Sequence, residues 1–159
     1  MAAGPALPET RLVLDSNIVT AWRYQKRGIL EAIASYQSRV KLFPALSAIT
    51  VYEVLYGLEN PLSKAQGDIE QTKLDLGKAN ELISSCTVLP FDHNSAKIAA
   101  YIVPRPPKNI PKPTLLDALI AATALAHGYG VATRNEKDFE LIGQHTPDNR
   151  TLRLAIWMP

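Results

Sequence analysis

With Cys86 as its only cysteine, the 159-residue chain cannot form an internal disulfide, so its fold must rest on a packed core. A chain with so little cysteine suits a reducing compartment, and a cytoplasmic location is expected. Long apolar runs are also missing. A membrane helix needs roughly 20 apolar residues, and the longest candidate, Leu115–Ala126, is interrupted by Asp117. Residues 1–8 have neither a basic stretch nor a sustained apolar one, so no export signal is expected. Charge of one sign is scarce too: 17 Lys and Arg against 15 Asp and Glu leave +2. Composition therefore gives no sign of a nucleic-acid partner, although an acidic metal cluster would cancel basic residues placed around it. The Walker A loop, the dinucleotide glycine fingerprint, zinc-ligand spacing and the Gly-x-Ser-x-Gly elbow are all absent.

What remains is a globular balance, 47% apolar and 20% charged, sized for one domain over residues 1–159. Residues 11–14, 41–46, 87–91, 131–133 and 152–157 read as strands, short apolar stretches bounded by turn residues. Helical spacing appears over residues 20–39. It recurs from an N-cap at Ser47 to a stop at Asn60-Pro61, then over 63–85, 94–101 and 115–127, and in a short helix around Asp138. Thr114 is placed to cap the helix that holds Asp117. Before it, residues 104–113 carry five prolines and read as a loop, because proline removes backbone donors and fixes φ. Strands alternating with helices predict an α/β domain with a mainly parallel sheet.

Four acids stand in unusual places. Asp15 follows the first strand directly, and Asp138 lies five residues beyond the strand ending at Thr133. In open parallel sheets ligands bind at these carboxyl ends. Glu53 sits within Ile49-Thr50-Val51-Tyr52-Glu53-Val54-Leu55-Tyr56, and Asp117 within Leu115-Leu116-Asp117-Ala118-Leu119-Ile120. A buried carboxylate needs a cation, a hydrogen bond or a metal, or it costs several kcal/mol. Each acid alone has an ordinary explanation as a cap or half a salt bridge. Four together suit a hard divalent cation, since Mg²⁺ prefers carboxylate and water oxygens.

At these residues the chain resembles the PIN-domain nucleases, and among them the VapC-like toxins of toxin–antitoxin systems. The matching segments are Val13-Leu14-Asp15-Ser16-Asn17, the stretch from Ser47 to Leu58 around Glu53, the stretch from Asp117 to Ala126, and Ala132-Thr133-Arg134-Asn135-Glu136-Lys137-Asp138-Phe139. The resemblance spans nearly the whole chain. It implies a PIN-like fold with a five-stranded, mainly parallel sheet flanked by helices. It also implies Mg²⁺ or Mn²⁺ held by Asp15, Asp117 and Asp138 directly or through water, with Glu53 binding a second metal or orienting the attacking water. Asn17, Thr133 and Asn135 would be positioning groups. The implied activity is endoribonuclease action as a toxin, with an RNA substrate, a small antitoxin partner and a homodimeric state. The alternatives are an RNA-processing nuclease without an antitoxin, and a catalytically silent metal- or nucleic-acid-binding module.

Other features have simpler readings. Asp92-His93 could serve acid–base chemistry, but a surface turn is the expectation. His127 is expected at a helix end, where the dipole explains it. His145 carries no signal, and Cys86 reads as a small buried residue. Arg23, Lys26 and Arg27 could guide phosphates or simply form a solvated helix face. Trp22, Tyr24, Tyr52 and Tyr56 could line a partner groove or belong to the core.

Overall fold

The computed structural model describes residues 3–107 and 115–159. Six strands form one parallel sheet: β1 (Gly4–Pro5), β2 (Leu12–Leu14), β3 (Ala45–Ser47), β4 (Val88–Leu89), β5 (Gly130–Thr133) and β6 (Arg153–Ile156), ordered β1-β6-β5-β2-β3-β4. The helices are α1 (Ser16–Arg23), α2 (Arg27–Val40), α3 (Ala48–Ser63), α4 (Ile69–Ser84), α5 (His93–Ile102), α6 (Leu115–Ala126) and α7 (Glu136–Gly143).

Alternation along the strands builds two cores. Leu12 and Leu14 face α1 and α2 residues such as Ile18, Ile29 and Tyr36. Val13 faces the opposite layer, with Ile102, Ile120 and Phe139 from α5, α6 and α7. From β2 the chain first moves outward to β3 and β4, then returns to place β5 on the other side of β2. That reversal makes the carboxyl ends of β2 and β5 the crevice of the sheet.

The α/β expectation holds, with one strand more than the five expected. The addition is β1, too short to show a pattern. It docks at the edge, where Gly4 and Ala6 donate to Leu152 and Leu154 carbonyls at 2.9 and 2.8 Å. Pro5 lies between them, where an outward-facing position needs no donor.

Three helix expectations change. The helix expected over 20–39 begins earlier, at Ser16, and breaks into α1 and α2. Gln25 takes φ 52°, Gln25 N–H bonds the Trp22 carbonyl at 2.8 Å, and Lys26 N–H bonds that of Ala21 at 3.0 Å. This is a Schellman ending with glutamine where glycine is usual. The helix expected to stop at Asn60-Pro61 runs to Ser63, because Pro61 falls in its last turn and the carbonyl it leaves unserved belongs to exposed Gly57. The helix expected over 63–85 starts only at Ile69, where Asp68 accepts from Gln71 N–H at 3.1 Å. The Thr114 cap and residues 108–113 of the proline-rich loop lie outside the described residues. Among the described residues, no helix is long and apolar enough to cross a membrane.

Candidate active site

Asp15 leaves β2 and caps α1. Its N–H continues the sheet ladder to the Ala132 carbonyl at 2.9 Å, and its Oδ1 accepts from Ser16 N–H at 2.8 Å. Its other oxygen accepts from the Thr133 hydroxyl at 2.7 Å, across the crevice from the end of β5. Both side chains are fully enclosed, Asp15 at 1% exposure and Thr133 at 0%. Burial pushes the Asp15 carboxyl above the usual carboxylate range. The Thr133 and Ser16 hydrogen bonds oppose that rise, and the Asp138 charge adds slightly to it.

Glu53 is placed by a local lock. Ser47 caps α3 by accepting from Thr50 N–H at 3.0 Å, and the buried Thr50 hydroxyl donates to the Leu14 carbonyl at 3.0 Å. The first turn of α3 is thereby pinned to the end of β2. Glu53, three residues after Thr50, lies on the same helix face one turn further along. One of its oxygens, Oε1, is buried without a hydrogen-bond partner. Its carboxyl is pushed up to about 7, first by burial and then by the charges of Asp15 and Asp117, with a smaller opposing pull from Ser16. Asp117, 7% exposed in the first turn of α6, is therefore an electrostatic neighbour of Glu53. Asp138 is half-buried in the first turn of α7 and acts on Asp15.

The chemistry of this donor set fits a hard cation: carboxylates only, one oxygen without a donor, and mutual repulsion. Among the described residues, no three His, Cys, Asp or Glu side chains are gathered closely enough to hold an ion as a ready cage.

The positioning groups divide. Thr133 contacts Asp15 directly. Asn135 contributes its backbone, donating N–H to the Thr133 hydroxyl at 2.9 Å, while its side chain makes no cap bond. Asn17 has a buried Oδ1 without a partner. Outside the carboxylates, a groove of about 540 Å³ is lined by Ser16, Asn17, Arg23, Lys26, Glu53 and Arg134. Arg27 instead pairs with Glu31 at 2.7 Å on the solvent side. Arg134 received no role from sequence reasoning; its only signal there is its place inside Thr133-Arg134-Asn135.

Asp92 is a cap. Its Oδ1 accepts from Ser95 N–H and hydroxyl, both at 2.9 Å, and these bonds hold its carboxyl below the usual range. His127, not His93, approaches it at 3.6 Å, while its Nε2 lies 3.0 Å from the Pro90 carbonyl oxygen. His145 and Cys86 lie outside the groove lining.

The PIN domain family matches residues 12–144 of this chain. The chain belongs to the PIN-domain family. A VapC ribonuclease, Y4jK of Sinorhizobium fredii, is 32% identical over 133 residues, covering 83% of this chain and 92% of that protein. Two solved structures share the fold. VapBC2 from Rickettsia felis, bound to a DNA fragment from its promoter, has a TM-score of 0.73 at 18% identity and covers 92% of this chain and 98% of that one. DNA-bound VapBC from Salmonella typhimurium has a TM-score of 0.68 at 24% identity and covers 94% and 99%. Within this PIN domain, the four acids of the motif segments fall at the carboxyl edge of the sheet or on the helices packed beside it.

Proposed function

We propose that this PIN-domain chain is a divalent-metal-dependent endoribonuclease acting as the toxin of a toxin–antitoxin pair, with Asp15, Glu53, Asp117 and Asp138 as its site. The observation that carries the reading is the buried, unpartnered Oε1 of Glu53, set among carboxylates that repel it. Such an arrangement is costly without a cation. Mg²⁺ or Mn²⁺, when bound, supplies charge screening at the phosphate and a lower pKa for water. Asp15, Asp117 and Asp138 would hold the ion directly or through water, and the Thr133 hydroxyl and Ser16 N–H would keep Asp15 aimed. Glu53 would orient the attacking water. Arg23, Lys26 and Arg134 line the groove as donors for the flanking phosphates.

The VapC relative is a ribonuclease by name, which supports RNA as substrate. The VapBC assemblies support a small antitoxin partner and a shared fold for it to bind. Tyr52 and Tyr56 flank Glu53 on α3, stacked at 5.7 Å and each 54% exposed. Tyr24, 60% exposed, stands on the groove rim. These aromatics suit an amphipathic antitoxin segment that lays an arginine against the carboxylates. A homodimer follows from the same family reading.

The test is cleavage of single-stranded RNA by the purified chain, with Mg²⁺ and with chelator, before and after adding the protein encoded by the adjacent gene. Metal-dependent cleavage that the partner suppresses supports the reading. Cleavage indifferent to chelator, or a partner that binds and leaves cleavage unchanged, contradicts it.

A further inference from the structure

At the opposite end of the sheet, a second open groove of about 470 Å³ is lined by Arg11, Arg150, Arg153, Tyr129 and Glu9. Arg11 immediately precedes β2, Arg153 opens β6, and Arg150 lies in the turn before it. Three guanidiniums on one groove repel one another, so an anion is their natural complement. Among the described residues the ion pairs are Arg27–Glu31, Lys73–Glu70 and His127–Asp92; none involves these arginines or Glu9. Arg150 is aimed by donating one Nη1–H to the Leu125 carbonyl at 3.1 Å, which leaves its remaining donors for the groove.

The wall between α6 and β5 is Gly128-Tyr129-Gly130. A Cβ at Gly130 would meet the Arg153 carbonyl oxygen at 2.7 Å, so β5 and β6 approach closely here only because that position carries no side chain. Tyr129, half-buried, packs against the core and lines the same groove. Arginines grip phosphate oxygens through paired donors, and a groove lined by several of them suits a strand of phosphates.

We propose that this groove is an exosite for the sugar–phosphate backbone of single-stranded RNA, holding a part of the strand that lies outside the cleavage cleft. The proposal rests on RNA being the substrate of the carboxylate site. It differs from that reading in needing neither metal nor chemistry.

The experiment follows binding of a fluorescent 20-nucleotide single-stranded RNA by anisotropy in chelator, from 50 to 200 mM salt. The wild-type chain is compared with Arg11→Gln/Arg153→Gln. Each phosphate contact contributes about 0.7 to the salt slope of a single strand, so the double variant should lose about 1.4 from that slope and bind about tenfold more weakly at low salt. Arg11→Gln alone should lose half as much slope, and Arg11→Lys/Arg153→Lys should keep most of it. Lys73→Gln, an exposed cation on α4 paired with Glu70 and outside both grooves, should keep the full wild-type slope. Equal slopes and affinities for wild type and the double glutamine variant, with matching melting curves, would overturn the exosite. A wild-type chain that shows the arginine-dependent slope yet never cleaves RNA with Mg²⁺ supports the exosite and sinks the nuclease reading. Cleavage with no arginine dependence of binding does the reverse.

Discussion

Thr133 and Glu53 carry opposite electrostatic burdens at the site. The Thr133 hydroxyl is the side-chain donor that holds Asp15 Oδ2, and it is itself fixed by Asn135 N–H. Thr133→Val removes a charge-assisted hydrogen bond from an enclosed carboxylate, a loss of about 1.5–3 kcal/mol for the charged form. The Asp15 carboxyl should then rise further, and the acid limb of the cleavage pH profile should move to higher pH. Thr133→Ser should restore it. A lowered rate with an unmoved acid limb would mean that Thr133 acts only through packing. For Glu53 the sign is different. Its carboxyl is raised from 4.5 to about 7 in the folded chain, so between those values the folded state binds more protons than the unfolded one. Stability without metal is therefore undiminished below the unfolded pKa and falls as pH rises through 7. Glu53→Gln should melt with wild type near pH 4 and be more stable at pH 8. The gain is on the order of 1 kcal/mol once solvent screening at a half-buried position is allowed for. Melting curves in chelator at both pH values check this, and a Gln variant less stable at pH 8 contradicts it.

Among the elements, the junction between α1 and α2 is held in a strained form. Gln25 occupies the left-handed position of a Schellman ending, which glycine fills without a Cβ clash. Gln25→Gly should raise stability by about 0.5–1 kcal/mol, or roughly 2 °C in Tm for a chain of this size. A lowered Tm would show that the Gln25 side chain has a role beyond the turn. Three residues on, Gly28 behaves in the opposite way. A Cβ there would come within 2.3 Å of the Met158 carbonyl oxygen. Gly28→Ala should cost about 1–3 kcal/mol and shift Pro159, which lines the cleft, out of its place. This junction also marks where sequence reading stops. β2 and β5 were legible because Leu12-Val13-Leu14 and Val131-Ala132-Thr133 are short apolar runs closed by polar residues. The break at Gln25 was not, because Tyr24-Gln25-Lys26 contains neither glycine nor proline and the helical spacing continues through it. Pro61 misled in the other direction, since a proline in a last turn can leave its missing bond to solvent. Of the site, Asp15 and Thr133 follow from strand ends. The unpartnered Glu53 oxygen and the groove position of Arg134 depend on how α3 and α7 dock, which no local pattern encodes.

At the scale of the whole molecule, a net charge of only +2 conceals a separation. Asp15 stands at the carboxyl end of β2, with Glu53, Asp117 and Asp138 on the helices α3, α6 and α7, and Arg11, Arg150 and Arg153 line a groove where β2 and β6 begin. Topology produces this polarity: in a parallel sheet every strand end of one kind lies on the same edge, so residues far apart in sequence collect by their position relative to the strands. The proposed role of the carboxylate edge is that of a cation-dependent nuclease site. Its most direct test is RNA cleavage as a function of Mg²⁺ concentration by wild type, Asp15→Asn and Asp117→Asn, each first shown to be folded by its melting curve. Saturable Mg²⁺ dependence is expected in wild type. A fall in rate of at least about a hundredfold is expected in both variants, equivalent to about 2.7 kcal/mol of transition-state stabilisation, with melting in chelator at or above the wild-type temperature. Folded variants that cleave RNA at the wild-type rate, or variants that unfold where the metal-free wild type is stable, would contradict it.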